Sequence, residues 1–385
     1  MIADPLVNLD ESHEKLRQRV QQFAREHLLP VANDIDREER FPAEVMRKLG
    51  EAGLLGGTIP RELGGAGMDN VSMAVMVEEL GRYSQTFSGL VGGVCTAFGI
   101  GLQRYGSDDQ KRKYLKTLAL GQSFGGIALT EPRSGSDAGG MECSARKVDG
   151  GWVLDGKKAW IDGAGHADWF VVYAQSNPEL GRKGICAFVV ERGTEGFTTQ
   201  TYRNILGWRS ATTGELTFRE CLVPDSALLG EVGQGYKIAM SAVGYGRLQV
   251  AARNCGGIRA CLEASVDYAK KRRIYGKEIA QFQLIQNKIV DMSIALDTGR
   301  ALTYRVARML DAGEQARRES SMAKVYTAEC FMRSATAAIQ IHGAHGISER
   351  FPLAQLFRDA KVAEIVEGSN EVQRTLVAEY ELGIR

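Results

Sequence analysis

Apolar positions three and four apart dominate the first third of the chain. In "EKLRQRVQQFAREHLLP", Leu16, Val20, Phe23 and His27 share one helical face, and Pro30 ends or kinks the segment. "PAEVMRKLGEAG" opens on Pro42 and closes at Gly53, the asymmetry of a short helix. "SMAVMVEELGRYS" and "DDQKRKYLKTLALG" keep the same period, with Ser107 or Asp108 as the cap of the second. Residues 1–120 therefore predict an N-terminal α-helical domain.

At Gly121 the period changes. "FGGIALT", "WVLDGKKAWI", "ADWFVVYAQ", "GICAFVVERG" and "GELTFRECLVP" are short runs rich in β-branched and aromatic residues. The turn signals "DGG" (Asp149 to Gly151) and "DGKK" (Asp155 to Lys158) divide them. Strands with no helix between them predict an antiparallel sheet or barrel ending near Pro224, a middle β-domain over residues 121–230. From about Gly233 the helical period returns in long pieces. Ile285, Ile289, Met292 and Leu296 form a bundle-type stripe, and "SSMAKVYTAECFMRSATAAIQIHG" and "VQRTLVAEYEL" follow. Residues 231–385 predict a second helical domain, so the fold class is mainly α with a central β-barrel or sandwich. No internal repeat or low-complexity tract interrupts this order.

Composition narrows the function classes. A chain of 385 residues exceeds one ordinary core. Its net charge of +1, with 25% charged residues, leaves no basic footprint for nucleic acid, and "KKRR" (Lys270 to Arg273) is too short to create one. "MIADPLVNLDESHEKL" has no secretory pattern, and no run reaches the roughly 18 apolar residues of a membrane span, so a cytoplasmic location is expected. Cys95, Cys143, Cys186, Cys221, Cys255, Cys261 and Cys330 form no Cys-x-x-Cys pair and are odd in number, which argues against a disulfide framework or a zinc site. His342 and His345 have no obvious third ligand, and no metal is expected.

Several segments are candidates for chemistry. "GAGHAD" (Gly163 to Asp168) and "GGAGMD" (Gly64 to Asp69) lack the dinucleotide fingerprint and its βαβ setting, and a phosphate-binding Gly-x-x-x-x-Gly-Lys-Ser/Thr loop is missing. A nucleotide cofactor, if used, is held by another route. "ALTEPRSGSDAGG" ends a strand in small hydroxyl and glycine residues whose backbone donors suit a phosphate or a heteroaromatic edge, though a plain surface turn has the same composition. Trp160 and Trp169 flank a glycine turn and could stack on a planar ring, but taken singly each is expected to fill core. Arg272, Tyr275, Gly276 and Gln283 lie at a helix junction, where Arg272 could reach a pyrophosphate or simply be solvated. In "IQIHGAHG", Gly343 and Gly346 could be no more than a helix C-cap.

"AEIVEGSNEVQ" (Ala363 to Gln373) places Glu367 after an apolar pair. Asn370 and Gln373 resemble a capping box, which predicts a helix from Glu371. Desolvation would raise the Glu367 pKa and the helix N-terminus would lower it. Such a group can act as a general base, and a solvated loop glutamate is the other reading.

The order and spacing of "YGSDDQKRKYLKTLALG", "ALTEPRSGSD", "GWRSATTGELTFRECLVP", "KRRIYGKEIAQFQLIQ", "QIHGAHG" and "RDAKVAEIVEGSNEVQRTLVA" resemble the acyl-CoA dehydrogenase family over essentially the whole chain. The resemblance implies a helical domain, a β-domain and a C-terminal four-helix bundle, with FAD held between the last two without a Rossmann unit. It implies a homo-oligomer, tetramer rather than dimer, with FAD shared across a subunit interface. It assigns Leu129, Thr130 and Ser136 to the flavin and phosphate site, Trp160 and Asp162 to the isoalloxazine ring, and Arg272, Tyr275, Gln283, Gln340 and Gly343 to the ADP half, partly from the neighbouring subunit. Ser369 and Glu371 would contact FAD just after the base. Tyr245, Arg247, Val366, Gly368 and Ser136 would line the substrate site.

By the same resemblance Glu367 removes the α-proton of an acyl thioester and flavin N5 accepts the β-hydride, leaving a trans-2-enoyl thioester. An electron-transfer flavoprotein or similar acceptor would reoxidise the flavin. The Glu367 N–H and a ribityl hydroxyl would polarise the thioester carbonyl. Some relatives carry the base just before the arginine matched by Arg247; here that position is Gly246.

Four positions depart from the family pattern. Asp162 replaces a hydroxyl donor to N5, Gly244 replaces an Asp or Asn near pantetheine, Val366 replaces a Tyr, and Arg133 adds charge to a small-residue loop. Val366 makes a branched, cyclic or bulky acyl group the expected substrate. Acyl carrier protein in place of CoA, an oxidase or reductase variant, and a non-catalytic flavin-fold binding protein are the other readings.

Overall fold

The computed structural model describes residues 9–384. Eight helices open the fold: α1 (Glu11–Phe23), α2 (Ala32–Arg37), α3 (Ala43–Glu51), α4 (Asn70–Gly81), α5 (Gln85–Gly93), α6 (Gly99–Tyr105), α7 (Asp108–Gln110) and α8 (Lys116–Ala119). Asp10 caps α1 by accepting from the Ser12 and His13 N–H groups. Ser107, not Asp108, caps α7 in a reciprocal box with Gln110. Before Pro30 is reached, a π-type turn over Ala24–Leu28 carries α1 onward, and His27 meets Phe23 edge-on at 5.0 Å.

Strands β1 (Gly125–Ala128), β2 (Ser144–Val148), β3 (Gly151–Ile161), β4 (Trp169–Gln175), β5 (Ile185–Glu191), β6 (Phe197–Thr201), β7 (Gly214–Pro224) and β8 (Leu228–Leu229) form one sheet. Its order is β6-β7-β3-β2-β4-β5-β8, with β1 also on β4. Most pairs are antiparallel, as expected. β2 meets β4 in parallel at Ser144 and Gln175 alone, and β1 runs parallel to β4 along its length, with Gly125 opposite Trp169. Residues 129–168 separate the two strands, enough chain for a parallel crossover, and local patterning carries no trace of such a distant pairing. Alternate side chains of the sheet, among them Leu154, Phe170, Phe188 and Phe218, close a separate apolar core.

The C-terminal part holds α9 (Gly235–Lys271), a small hairpin of β9 (Arg273–Ile274) and β10 (Lys277–Glu278), then α10 (Gln283–Asp311), α11 (Arg317–His342), α12 (Pro352–Ala363) and α13 (Asn370–Leu382). α9, α10 and α11 pack on one another, and α12 and α13 lie against α11. α9 also packs on α4, α5 and α6, which ties the bundle to the first helical layer. Covered on both sides, it is buried without a break from Gly246 to Ile258. The ion pairs Arg300–Glu78 and Arg259–Glu79 lock α4 to α10 and α9, and Tyr304 Oη–H donates to Glu78 at 2.9 Å.

The stretch Gln85–Tyr105 is long and apolar enough to cross a membrane, contrary to the expectation that no run would be. Yet 89% of its most apolar window is buried within the protein. All seven cysteines are buried and free. Burial pushes the thiols of Cys95, Cys143 and Cys221 up to about 11 and that of Cys261 up to about 12. His342 bonds the Ala338 carbonyl at 2.8 Å and stacks on Tyr268. No group of three metal-ligating side chains occurs among the described residues.

Candidate active site

Residues 364–369 link α12 to α13, and in this link Glu367 has φ +56° and Gly368 φ +83°. A left-handed backbone costs a side-chain-bearing residue roughly 1–2 kcal/mol, so the turn has to be held from outside. Lys324, fully buried on α11, does so. Its Nζ donates to the carbonyls of Glu364 and Gly368, both at 3.1 Å, and to Asn370 Oδ1 at 2.8 Å. Gln373 Nε2 donates to the carbonyls of Glu367 at 3.0 Å and Gly368 at 3.2 Å.

These contacts correct the expected helix start. Ser369 is the cap and α13 begins at Asn370, because Asn370 and Gln373 turn back to the link instead of capping the helix. Ile365 is exposed, so the run before Glu367 is less buried than its composition implies. Lys324→Met would strand Asn370 Oδ1, while the Gly368 carbonyl keeps Gln373 and the Glu364 carbonyl keeps the Asn370 N–H. With about 1–3 kcal/mol lost per unsatisfied group, thermal unfolding should show a loss of that order. An unchanged Tm would refute the clamp.

Glu367 is half-buried, with its carboxyl group against α9. It lies over α9 at Gly246, where a Cβ would stand 2.5 Å from Glu367 Oε2. Burial raises the Glu367 pKa. The nearby cations Arg253, Arg247 and Lys324 oppose the rise and Asp162 adds to it. Cations from α9 and α11 thus supply an opposing pull. Arg247 is buried and donates to Ser321 Oγ at 3.0 Å. Tyr245 is half-buried, its hydroxyl accepting from Arg104 at 2.7 Å. Gly244 faces only the Gln315 carbonyl, 3.6 Å from where its Cβ would be. Val366 and Gly368 flank Glu367 and are half-buried.

Asp162 follows the end of β3. Its Oδ1 accepts from the Thr213 hydroxyl at 2.6 Å and its Oδ2 from Trp208 Nε1–H at 2.8 Å. Burial raises its pKa, with both hydrogen bonds opposing. The carboxylate that replaces the family's donor is therefore engaged by two donors of its own. Trp208 in turn donates its backbone N–H to Asp359 Oδ1 at 2.7 Å.

Leu129 and Thr130 leave β1 beside β3: the Thr130 carbonyl accepts from Ala159 N–H at 3.0 Å and the Leu129 carbonyl from Lys158 Nζ at 3.2 Å. Glu131, buried, anchors the loop by accepting from Lys158 Nζ at 2.7 Å and from the N–H groups of Glu142 and Cys143. Ser136 and Arg133 lie exposed on its outer arm, Arg133 3.6 Å from Glu142.

Trp169 is core, whereas Trp160 is 63% exposed with φ +58°, beside Tyr202. An indole held open in a left-handed backbone next to Leu129 and Thr130 suits a planar aromatic ligand that would cover it, and in this respect the residues fit a flavin ring.

Ser369 and Glu371 stand at the first turn of α13, next to Glu367. Arg272, Tyr275, Gln283, Gln340 and Gly343 are all exposed and gather at the other end of the bundle, where Tyr268 of α9 stacks on His342 of α11. From Lys324 to Gln340 the helix rises about 24 Å, so this second group is remote from Glu367 within one chain. Sequence reasoning passed over Lys324, Arg253, Trp208, Glu131 and Lys158. The available signal was charge at buried periods: Lys324 stands between Ala323 and Val325, and Arg253 inside "VAARNC".

Three family models cover the chain: acyl-CoA dehydrogenase N-terminal domain over residues 10–122, middle domain over 126–221 and C-terminal domain over 233–382. An acyl-CoA dehydrogenase of Bacillus subtilis (strain 168) is 39% identical, covering 96% of this chain and 97% of its own. A glutaryl-coenzyme A dehydrogenase solved with glutaryl-CoA superposes with a TM-score of 0.94 at 34% identity, covering 98% of this chain and 97% of its own. The prolyl acyl carrier protein oxidase AnaB superposes with a TM-score of 0.93 at 31% identity, covering 97% and 99%.

Proposed function

We propose, from the premise that this chain belongs to the acyl-CoA dehydrogenase family, that Glu367 is the base of an α,β-dehydrogenation of an acyl thioester. The chain is an oxidoreductase of that family and its cofactor is FAD. The observation that carries the proposal is the Glu367 carboxyl group over Gly246, its pKa raised by burial, on a turn whose backbone Lys324 and Gln373 fix. A base of ordinary strength takes the weakly acidic α-proton poorly, and a desolvated one takes it better. FAD, when bound, supplies the acceptor for the hydride leaving the β-carbon. The Glu367 N–H donates to no described residue and is free to bond the thioester carbonyl, stabilising charge that develops there. Arg247 holds the floor beneath Glu367, and Tyr245 and Gly368 border the same space.

Val366 leaves room beside the reactive carbons, which supports a branched, cyclic or bulky acyl group. Gly244 leaves room where the carrier arm would pass, and one similar structure acts on a carrier-protein substrate, so acyl carrier protein is the second carrier to test. An electron-transfer flavoprotein is the proposed acceptor. The second group of residues beyond α11, Arg272 to Gly343, fits an ADP half completed from a neighbouring copy. The exposed apolar side chains Leu284, Val290, Ile294 and Ile347 support a homo-oligomer, which we propose is a cytoplasmic tetramer rather than a dimer.

The test is an anaerobic spectral titration of the purified flavoprotein with a panel of acyl thioesters on CoA and on carrier protein. Bleaching by a branched or cyclic group ahead of butyryl and octanoyl is expected. Fastest bleaching by the straight chains would overturn the substrate reading, and oxygen uptake without an added acceptor would mark an oxidase.

A further inference from the structure

Arg253 is 2% exposed, and its Nε–H and Nη2–H groups have no hydrogen-bond partner. These two nitrogens form one edge of the guanidinium plane, the edge that meets both oxygens of a carboxylate in a paired hydrogen bond. The opposite nitrogen, Nη1, reaches Gln249 Oε1 at 3.4 Å. The guanidinium carbon stands 4.4 Å from the centre of the Trp208 ring. Space for this arrangement comes from α5: a Cβ at Gly89 would stand 2.7 Å from Arg253 Nη1, and one at Gly92 2.5 Å from Gln249 Oε1.

Glu367, Asp162 and Asp359 act on Arg253 through space, but none of them hydrogen-bonds its open edge. Asp162 is engaged by Thr213 and Trp208, Asp359 receives the Trp208 N–H and faces Thr86, and Glu367 lies over Gly246. Lys324, also facing this space, is bound to its three acceptors. A buried cation with an open edge is costly until an anion meets it.

Gly246 and Arg253 are seven positions apart on α9 and so share a face. Helical side chains lean toward the helix N-terminus, and the Gln249 contact places the guanidinium about one turn back from its own Cα. Along the axis that leaves about 5 Å, one turn, between the guanidinium and the Glu367 carboxylate over Gly246. A few methylene groups span such a gap.

We propose that Arg253 recognises a carboxylate at the far end of the acyl group, so that the substrate, whatever its branching beside Val366, is a short thioester of a dicarboxylic acid. This deepens the dehydrogenation reading and rests on it. C2 lies at Glu367 and the terminal carboxylate lies on the open edge of Arg253, with the Trp208 face behind it.

The experiment compares flavin bleaching by the anaerobic holoprotein across pairs of equal chain length, glutaryl against pentanoyl and adipyl against hexanoyl. Each group is presented on CoA and on acyl carrier protein. The wild type should favour one carboxylated member of a pair at least tenfold in kcat/KM. Arg253→Met should abolish the preference, lowering the carboxylated member a hundredfold or more and bringing the kcat/KM ratio of the pair to about one, whatever the lost charge beside Glu367 does to the rate both members share. Arg253→Lys, which keeps the charge without the planar edge, should fall between.

A wild type that bleaches alkyl chains as fast or faster overturns the recognition and leaves the dehydrogenase reading standing. A Met variant that slows both members of a pair equally also overturns it and makes Arg253 a positioning residue. Failure of every thioester to bleach the flavin overturns both readings together. Should the Met variant lose its flavin, the wild-type ratio decides alone.

Discussion

Glu367→Gln should keep the yellow cofactor and lose the ability to bleach it. An amide holds the same shape in the left-handed turn and keeps the backbone carbonyl that Gln373 bonds, so the link should persist. What disappears is the proton acceptor. General-base contributions run to about 10²–10⁴-fold, and a fall of at least about 10³-fold in the reductive half-reaction is expected. Stopped-flow absorbance of the flavin band reads it directly, and reduction at the wild-type rate would remove Glu367 from the reaction.

The raised pKa gives this group a distinctive pH signature. Glu367 must be ionised to act, so the rate should climb with pH through a value above the ordinary carboxylate range and then level off. Stability runs the other way. Because the folded chain binds this proton more tightly than the unfolded one, the Glu367 contribution is lost as pH rises from the unfolded pKa to the folded one. The Gln variant carries no charge to desolvate, and its Tm at neutral pH should equal or exceed that of the wild type.

Gly246→Ala should separate folding from activity in the second direction. Alanine in place of glycine inside a helix favours the helix by roughly 0.5–1 kcal/mol. Here the new methyl would stand 2.5 Å from Glu367 Oε2, closer than any contact a carboxylate tolerates. The neighbouring backbone is pinned by Lys324, so the carboxylate itself has to swing aside. A displacement of about 1 Å in a reacting group costs about 10²-fold, and a loss of that size in kcat is expected with cofactor binding and Tm retained. Full activity in this variant would mean that Glu367 works from another position than the one observed.

How far the sequence reaches is clearest at these same residues. The three-part order of helices, strands and helices is legible because each part keeps its own period, as in the Ile285 to Leu296 stripe on α10. The pairing of β1 with β4 is not legible, since it joins strands across residues 129–168 and leaves no local pattern. Glu367 stands out as a candidate because a charge follows two apolar residues, but the same residues allow a solvated loop. Only the fold brings Lys324 to the link, from forty residues before Glu364. Arg253 is harder still. A charge inside a helix reads as a solvent-facing position until the packing of α5 and Trp208 around it is known. Trp160 is the opposite case, an aromatic that composition assigns to core and the fold leaves open.

The seven buried thiols have a practical consequence. With no thiol at the surface, the protein should stay silent toward maleimides and iodoacetamide while folded. A single cysteine engineered onto the outer arm of the Leu129–Ser136 loop would then be the one attachment point for a fluorophore or spin label. Ligand arrival beside Trp160 could be followed from that point without first stripping the native sulfurs.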